Sequence, residues 1–367
     1  MRWLAFGTYD VRRHPRVGVL LEGLRASGDE VVEINVPLAL DTAGRVAMLR
    51  QPWRLPKLAW LLARCWVVLA WRARRAPAVD AVLVGYLGHF DVRLARRLFR
   101  RTPIVLDHLV SAAGTAQDRS LTSGGGLKAK LMRRIDRGAL AAADLVVVDT
   151  PEHLAALPAS GVVAPVGAGR EWFVRAPRAE GPLRVVFVGL FTPLHGALTI
   201  GDALASLAGD ERIEVTMVGA GQEYAACRAA ASANTRVTWL DWVPFADLPA
   251  LVASHDVALG IFGTTEKAQN VVPTKVFQGA AAGCAVVTSD TAPQRRTLCD
   301  DALFVAPGDA SALAATLRSL ADDRSLLATF QRRAAARATT HFTAATVVAP
   351  IRARLTQPTT PAFQESH

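Results

Sequence analysis

Short apolar runs alternate with polar loops and helix-period stretches along the chain. Residues 2–6 form an apolar strand and 7–16 a polar loop, and Val17, Leu20, Leu21 and Leu24 recur at helical spacing in a helix over 16–27 that Gly28 ends. A second strand over 31–36 makes this opening a βαβ unit, whose first loop lies at the C-terminal end of its strand, where open α/β sheets bind ligands. The alternation continues with a strand over 79–85, a helix over 92–99, a strand over 104–106, a helix over 128–142 and a strand over 145–150. Residues 165–182 have linker composition, which sets a domain boundary near Arg178. The pattern then restarts with strands over 184–188, 215–218, 237–240 and 257–262, a helix over 197–207, a helix over 275–282 stopped by Gly283, and a strand from Val286. Helices rich in Ala, Leu and Arg follow Ser311, and the last spans 344–355. Continuous apolar strands joined by helices predict α/β structure with parallel sheets buried on both faces.

One interruption stands out. Residues 264–270 carry almost no apolar side chain, so this segment is expected as an irregular loop facing water or a ligand. Pro273 and Thr274 then open a helix with Lys275 in its first turn, and the free N–H groups and positive dipole end of such a start can hold an anion such as a diphosphate. Lys275 as a solvated surface lysine is the other reading. Gly219, Ala220 and Gly221 follow a strand, but Tyr224 stands where a dinucleotide fingerprint needs its third glycine, which argues against an NAD oxidoreductase.

With 51% hydrophobic and 20% charged residues in 367, the chain is long and apolar enough for two ordinary domains, and disorder is excluded as its theme. The formal charge of +10 points to an anionic partner: a sugar nucleotide, a lipid surface or a nucleic acid. No aromatic-and-basic RNA motif supports the last. Four cysteines, Cys65, Cys227, Cys284 and Cys299, lack metal-ligand spacing and follow no secretory segment, so they read as reduced cytoplasmic thiols, with no metal site and no disulfide. Residues 52–75 are the most hydrophobic stretch. The apolar part, 58–71, is too short and contains Arg64, so it does not cross a bilayer. Trp60, Trp66 and Trp71 among Lys57, Arg64, Arg72, Arg74 and Arg75 suit either a helix lying in a membrane interface or a core-facing helix with a basic outer side.

The segment from Asn270 to Asp290, NVVPTKVFQGAAAGCAVVTSD, resembles the donor-binding segment of GT-B glycosyltransferases of the retaining family 4 group, glycosyl transferases group 1. That pattern has two glutamates with seven residues between them, then a small-residue helix ending in Gly and a Val-rich strand; here Asn270 and Gln278 stand at the two Glu positions. The resemblance covers most of the chain. It implies two Rossmann-like domains with parallel sheets facing an interdomain cleft: 1–178 on the acceptor side, 179–340 on the nucleotide-sugar side, 341–356 a helix crossing back to the first domain, and 357–367 a tail.

By that resemblance the donor meets Gly189, His195, Gly196, Gly219, Val243, Glu266, Val272, Pro273, Thr274, Lys275 and Gln278. Gln278 takes the ribose, and Glu266 stands in for the sugar-handling carboxylate that Asn270 replaces. Leu190 occupies the place of the diphosphate-binding Arg, and His195-Gly196 that of a Lys-Gly pair. The segment GHFD with a strand ending in Asp107 matches the first half of the family, which implies His108 at the donor sugar and the reacting centre, with Asp107 as its competitor. Gly7, Tyr9, Arg16, His89 and Ser111 fall on the acceptor side, where Arg12, Arg13 and Arg16 either meet a phosphate or form a solvated basic loop. The implied activity is a retaining, metal-independent transfer of a sugar from a UDP-, GDP- or dTDP-sugar to a glycan, lipid-linked or small-molecule acceptor. It needs no cofactor, and it would run in the cytoplasm or at the inner face of the cell membrane in bacterial glycan biosynthesis. The altered acidic pair and Leu190 leave a second class open: an inactive GT-B homologue serving as a binding or scaffold partner in a glycan pathway.

Overall fold

The computed structural model describes residues 1–11, 14–38, 53, 55–85, 88–109, 126–158, 160–176 and 180–356. Arg12, Arg13, Ser111, the boundary at Arg178 and the tail lie outside them.

The first half forms one parallel sheet, β2-β1-β3-β4-β5-β6 in spatial order. Its strands are β1 (Arg2–Gly7), β2 (Glu30–Asn35), β3 (Ala81–Val84), β4 (Ile104–Asp107), β5 (Leu145–Val148) and β6 (Gly161–Val163). β3, β4 and β5 are buried at every position, because helices cover both faces and leave no solvated side to alternate with. Alternate residues still divide between two cores. Trp3, Ala5, Leu83, Val105 and Val147 pack with α1 (Pro15–Ala26) and the last helix, α14 (Ala344–Thr356). Leu4, Phe6, Val82, Val84, Ile104 and Leu106 pack with α2 (Leu55–Ala73), α3 (Asp91–Leu98) and α4 (Leu127–Leu140). The short helix α5 (Pro151–Ala155) follows β5.

The second half repeats the architecture as β12-β11-β10-β7-β8-β9, again all parallel. In chain order its elements are β7 (Leu183–Val188), α6 (Ala197–Ser206), β8 (Ile213–Val218), α7 (Tyr224–Ala230), β9 (Val237–Leu240), α8 (Leu248–Ala253), β10 (Val257–Leu259), α9 (Glu266–Gln269), α10 (Thr274–Ala281) and β11 (Ala285–Ser289). α11 (Ala292–Leu298), β12 (Leu303–Val305), α12 (Ala310–Asp322) and α13 (Arg324–His341) complete it. The chain then returns to the first half: α14 sets Val347, Val348 and Ile351 against α1, and Arg352 pairs with Asp29 at 2.7 Å. Gly23 makes the approach possible, since a Cβ there would lie 2.1 Å from the Ala344 carbonyl oxygen.

Three expectations change. The supposedly irregular segment 264–270 contains α9, whose start is capped by Thr265 Oγ1 accepting the Ala268 N–H at 3.2 Å, and Ala268 is fully buried. Seven mostly polar residues conceal that helix because a single buried alanine is enough to seat one turn. The expected linker is half structural: Val166, Ala168 and Trp172 are buried in the second half's core beside Val276, Phe277 and Phe342. The strand expected over 257–262 is regular only over Val257–Leu259, though Gly260 and Ile261 still hydrogen-bond to β11 and Ile261 and Phe262 stay buried. α5, β6, α11 and β12 had no forecast, being short elements whose few residues show no clear period.

Candidate functional site

Both sheets end their strands at a common cleft of about 1120 Å³. Its floor is the loop after β7, the loop after β8 and the start of α10, and its first-domain wall includes Pro15, Leu109 and Asp149. Glycine determines how closely these loops approach. A Cβ on Gly219, whose φ is +122°, would sit 2.0 Å from the Gly189 carbonyl oxygen. Gly196, at φ +65°, ends the 3-10 turn Pro193–His195 and begins α6, and a Cβ there would lie 2.4 Å from the Phe262 backbone.

Lys275 lies in the first turn of α10, where no side chain caps the helix start. Its stem is partly exposed, but its Nζ is buried, 3.8 Å from the centre of the Phe187 ring, and makes no hydrogen bond among the described residues. A Cβ on Gly189 would come within 2.5 Å of that Nζ, so the glycine leaves the room the amine occupies. Burial without a counter-charge holds the Lys275 ammonium well below its ordinary 10.5 and favours the neutral amine. A buried amine at an uncapped helix start is an arrangement that can hold an anion.

Gly189, His195, Gly219, Val243, Val272, Pro273, Thr274, Lys275 and Gln278 all line the cleft. Gly196 shapes it from behind. Glu266 is exposed on α9 and outside the lining, where the neighbouring Lys267 appears instead. Asn270 turns its amide back to donate to the Glu266 carbonyl at 3.0 Å, while its own carbonyl accepts Thr150 Oγ1 from the first domain at 3.1 Å. His195 Nδ1 contacts the Leu190 carbonyl and lies 3.2 Å from Thr192 Oγ1, which holds the ring at the β7 loop. Leu190 itself is 51% exposed in the cleft.

The first-domain residues lie differently from expectation. Arg16 is buried and cannot meet a phosphate: its guanidinium donates to Asp107 Oδ1 at 2.8 Å and to the carbonyls of Pro165 and Ala164. Asp107, expected near the reacting centre, is spent in this pair. Full burial pushes its carboxyl up, and Arg16 opposes the rise. Tyr9 is core, donating to Glu33 Oε2 at 3.1 Å, with its phenol pushed up by burial and by Glu33. Gly7 ends β1 beside Asp91, which accepts both the N–H and the Oγ1 of Thr8 at 2.8 Å.

His89 and His108 meet edge to face, with ring centres 5.3 Å apart, and His89 Nε2 lies 3.2 Å from Asp136 Oδ1. Burial, then the charge of His89, lowers His108 to about 4, so it is neutral at pH 7. The three side chains offer ligand atoms within 4.8 Å of one another, a two-imidazole, one-carboxylate set of the kind transition metals accept. They come from the turn before α3, the residue after β4 and the helix α4, so no local spacing could announce them. Asp149 and His153 form a second dyad at 2.6 Å. Burial works to lower His153, but the hydrogen bond and charge of Asp149 prevail and raise it. Trp172, Asp241, Trp242, Phe245 and Lys267 also line the cleft and carried no sequence motif.

Residues 182–323 match the family described as glycosyl transferases group 1. The match lies in the second half, and the chain as a whole has the GT-B fold of glycosyltransferases. Among solved structures, sucrose-phosphate synthase from Thermosynechococcus elongatus is similar at TM-score 0.72 and 14% identity, over 96% of this chain and 98% of that one. The Anabaena protein HepE in complex with UDP-glucose is similar at TM-score 0.67 and 15% identity, over 97% and 99%. An Escherichia coli trehalose-6-phosphate protein bound with UDP-2-fluoro glucose is similar at 0.66 and 14%, over 98% and 99%. No curated protein matches the sequence significantly. In this GT-B frame the uncapped start of α10, with Lys275, faces the first domain across the cleft. No helix among the described residues is long and apolar enough to cross a membrane.

Proposed function

We propose that the protein transfers a sugar, with retention of anomeric configuration and without a metal, from a UDP-type nucleotide sugar to a glycan, lipid-linked or small-molecule acceptor held against the first domain. The buried Nζ of Lys275, unpartnered at the helix start on the cleft floor, carries this reading. On it the leaving diphosphate takes the α10 N–H groups and the Lys275 amine, which gains a proton as the anion arrives, and electrostatic stabilisation of the departing charge supplies most of the rate. Gln278 offers an amide to the ribose and the 243–245 segment borders the base, while His108, Asn270 and Glu266, which the resemblance assigns to the sugar, stand outside the cleft lining. The acceptor attacks from the side of Asp149 and Leu109. The donor phosphate itself takes the acceptor proton. The protein works in the cytoplasm, at the inner face of the membrane.

Thermal unfolding with UDP, GDP, dTDP and ADP, followed by transfer assays with the sugars of whichever nucleotide stabilises, tests the proposal. A ligand at 100 times its dissociation constant adds about 2.7 kcal/mol. One nucleoside diphosphate should stand out, its sugar should be transferred with the anomeric configuration kept, and chelator should leave the rate unchanged. An inverted product or a chelator-sensitive rate overturns that part of the mechanism. The exposed Leu190 in the place of a cation favours a second reading, a nucleotide-binding scaffold without turnover. Binding without transfer to any acceptor decides for it.

A further inference from the structure

α2 is mostly apolar yet buries only one side. Leu69, with Trp66 and Ala73, packs into the first domain's core, while Trp60, Val67 and Trp71 are 57%, 70% and 51% exposed. A helix of that composition belongs between two apolar or interfacial surfaces. Its rotation is locked, because Trp66 Nε1 donates to Asp91 Oδ1 at 2.8 Å, and Asp91 also holds Thr8. The outward tryptophans sit under cations: Arg64 lies 4.7 Å from the Trp60 ring centre and Arg75 4.0 Å from that of Trp71. Aromatic rings and guanidinium groups at one depth match the composition of a bilayer's headgroup zone.

The surface continues beyond α2. α3 and α4 cover the same face of the sheet, and between them runs a groove of about 670 Å³ with Phe90, Leu131 and Ile135 as apolar lining and Arg93, Arg134 and Arg137 as cations. No Asp or Glu occurs between Asp41 and Asp80. The acids of α3 and α4, Asp91 and Asp136, are both buried. The exposed charge carried by these three helices is thus of one sign, interleaved with exposed aromatic and aliphatic groups, and Asp144, paired with Arg96, lies beside them.

We infer that the outer face of α2, α3 and α4 docks on an anionic lipid bilayer, with a lipid phosphate in the Arg93, Arg134 and Arg137 groove and Trp60, Val67 and Trp71 in the headgroup zone. This deepens the membrane location proposed above by naming its surface and partner, and it stands on geometry remote from the nucleotide cleft. The test is co-flotation of the full chain, without nucleotide, on vesicles of phosphatidylcholine alone or mixed with phosphatidylglycerol, at low and high salt. Mixed vesicles should carry the protein and neutral ones should not. Arg134→Gln and Arg137→Gln should each lower partitioning about fivefold. Trp60→Ser with Trp71→Ser should lower it at every salt concentration. UDP titration of the same samples reports separately on the cleft, so either reading can fail alone. Equal partitioning on both vesicle types, or none, overturns the inference. So does dependence on the arginines with indifference to the tryptophans, which marks a surface for nucleic acid or other polyanions, or self-association that the tryptophan variants abolish without any flotation, which makes the partner a second copy.

Discussion

Lys275→Met should separate stability from function at one position. The substitution keeps the stem that lies along the cleft floor and deletes a buried amine that has no hydrogen-bond partner among the described residues. Relieving an unsatisfied buried polar group is worth about 1–3 kcal/mol, a rise of a few degrees in the unfolding midpoint of the empty protein. The pH dependence has a definite sign. Because burial lowers the folded value below 10.5, the unfolded chain holds the extra proton between the two values. Wild-type stability therefore gains from this group as pH rises through that window, and Lys275→Met loses the gain. Nucleotide binding should suffer the reverse. Truncating one partner of a buried charged pair costs about 2–4 kcal/mol, a factor of about 30 to several hundred in Kd. Calorimetry in two buffers of different ionisation enthalpy should show more proton uptake on binding UDP by the wild type than by the variant. A variant that is less stable when empty, or that binds UDP within twofold of wild type with the same proton uptake, refutes the reasoning.

Other positions give sharper local readings. Gly219→Ala places a Cβ 2.0 Å from the Gly189 carbonyl at a φ of +122°, so it should cost at least about 2 kcal/mol by strain and overpacking and weaken nucleotide binding, both visible in thermal unfolding with and without UDP. Leu190→Arg returns a cation to an exposed cleft position and should tighten UDP binding about tenfold, or 1.4 kcal/mol, in a calorimetric titration. His108 titrates at about 4 when folded against 6.5 otherwise, facing His89, Asp136 and His153, so the unfolded chain binds the extra proton as pH falls through that interval. Stability should drop by on the order of 3 kcal/mol from this group alone across the interval, and denaturant titrations of His108→Gln should show that acid slope reduced.

The order of elements was legible before any coordinates, because parallel strands buried on both faces must be written as apolar runs and the helices between them at helical spacing. The turn into α10 was legible for the same reason: Pro273, Thr274 and Gly283 limit the backbone locally, and Lys275 follows from its place in the first turn. Side-chain direction was not. Nothing local to Arg16 or Tyr9 says that each turns inward, since their partners Asp107 and Glu33 stand on other strands. Nothing local to Trp172, in a stretch of linker composition, says that it fills the second domain's core. The sequence by itself determined two doubly wound halves and the loop ends they present, because period and turn chemistry are local properties. Only tertiary structure decided that Lys275 Nζ is buried without a hydrogen-bond partner among the described residues, that His89, His108 and Asp136 meet, and that Trp60 and Trp71 of α2 face outward, because burial and charge compensation are set by residues far apart in the chain.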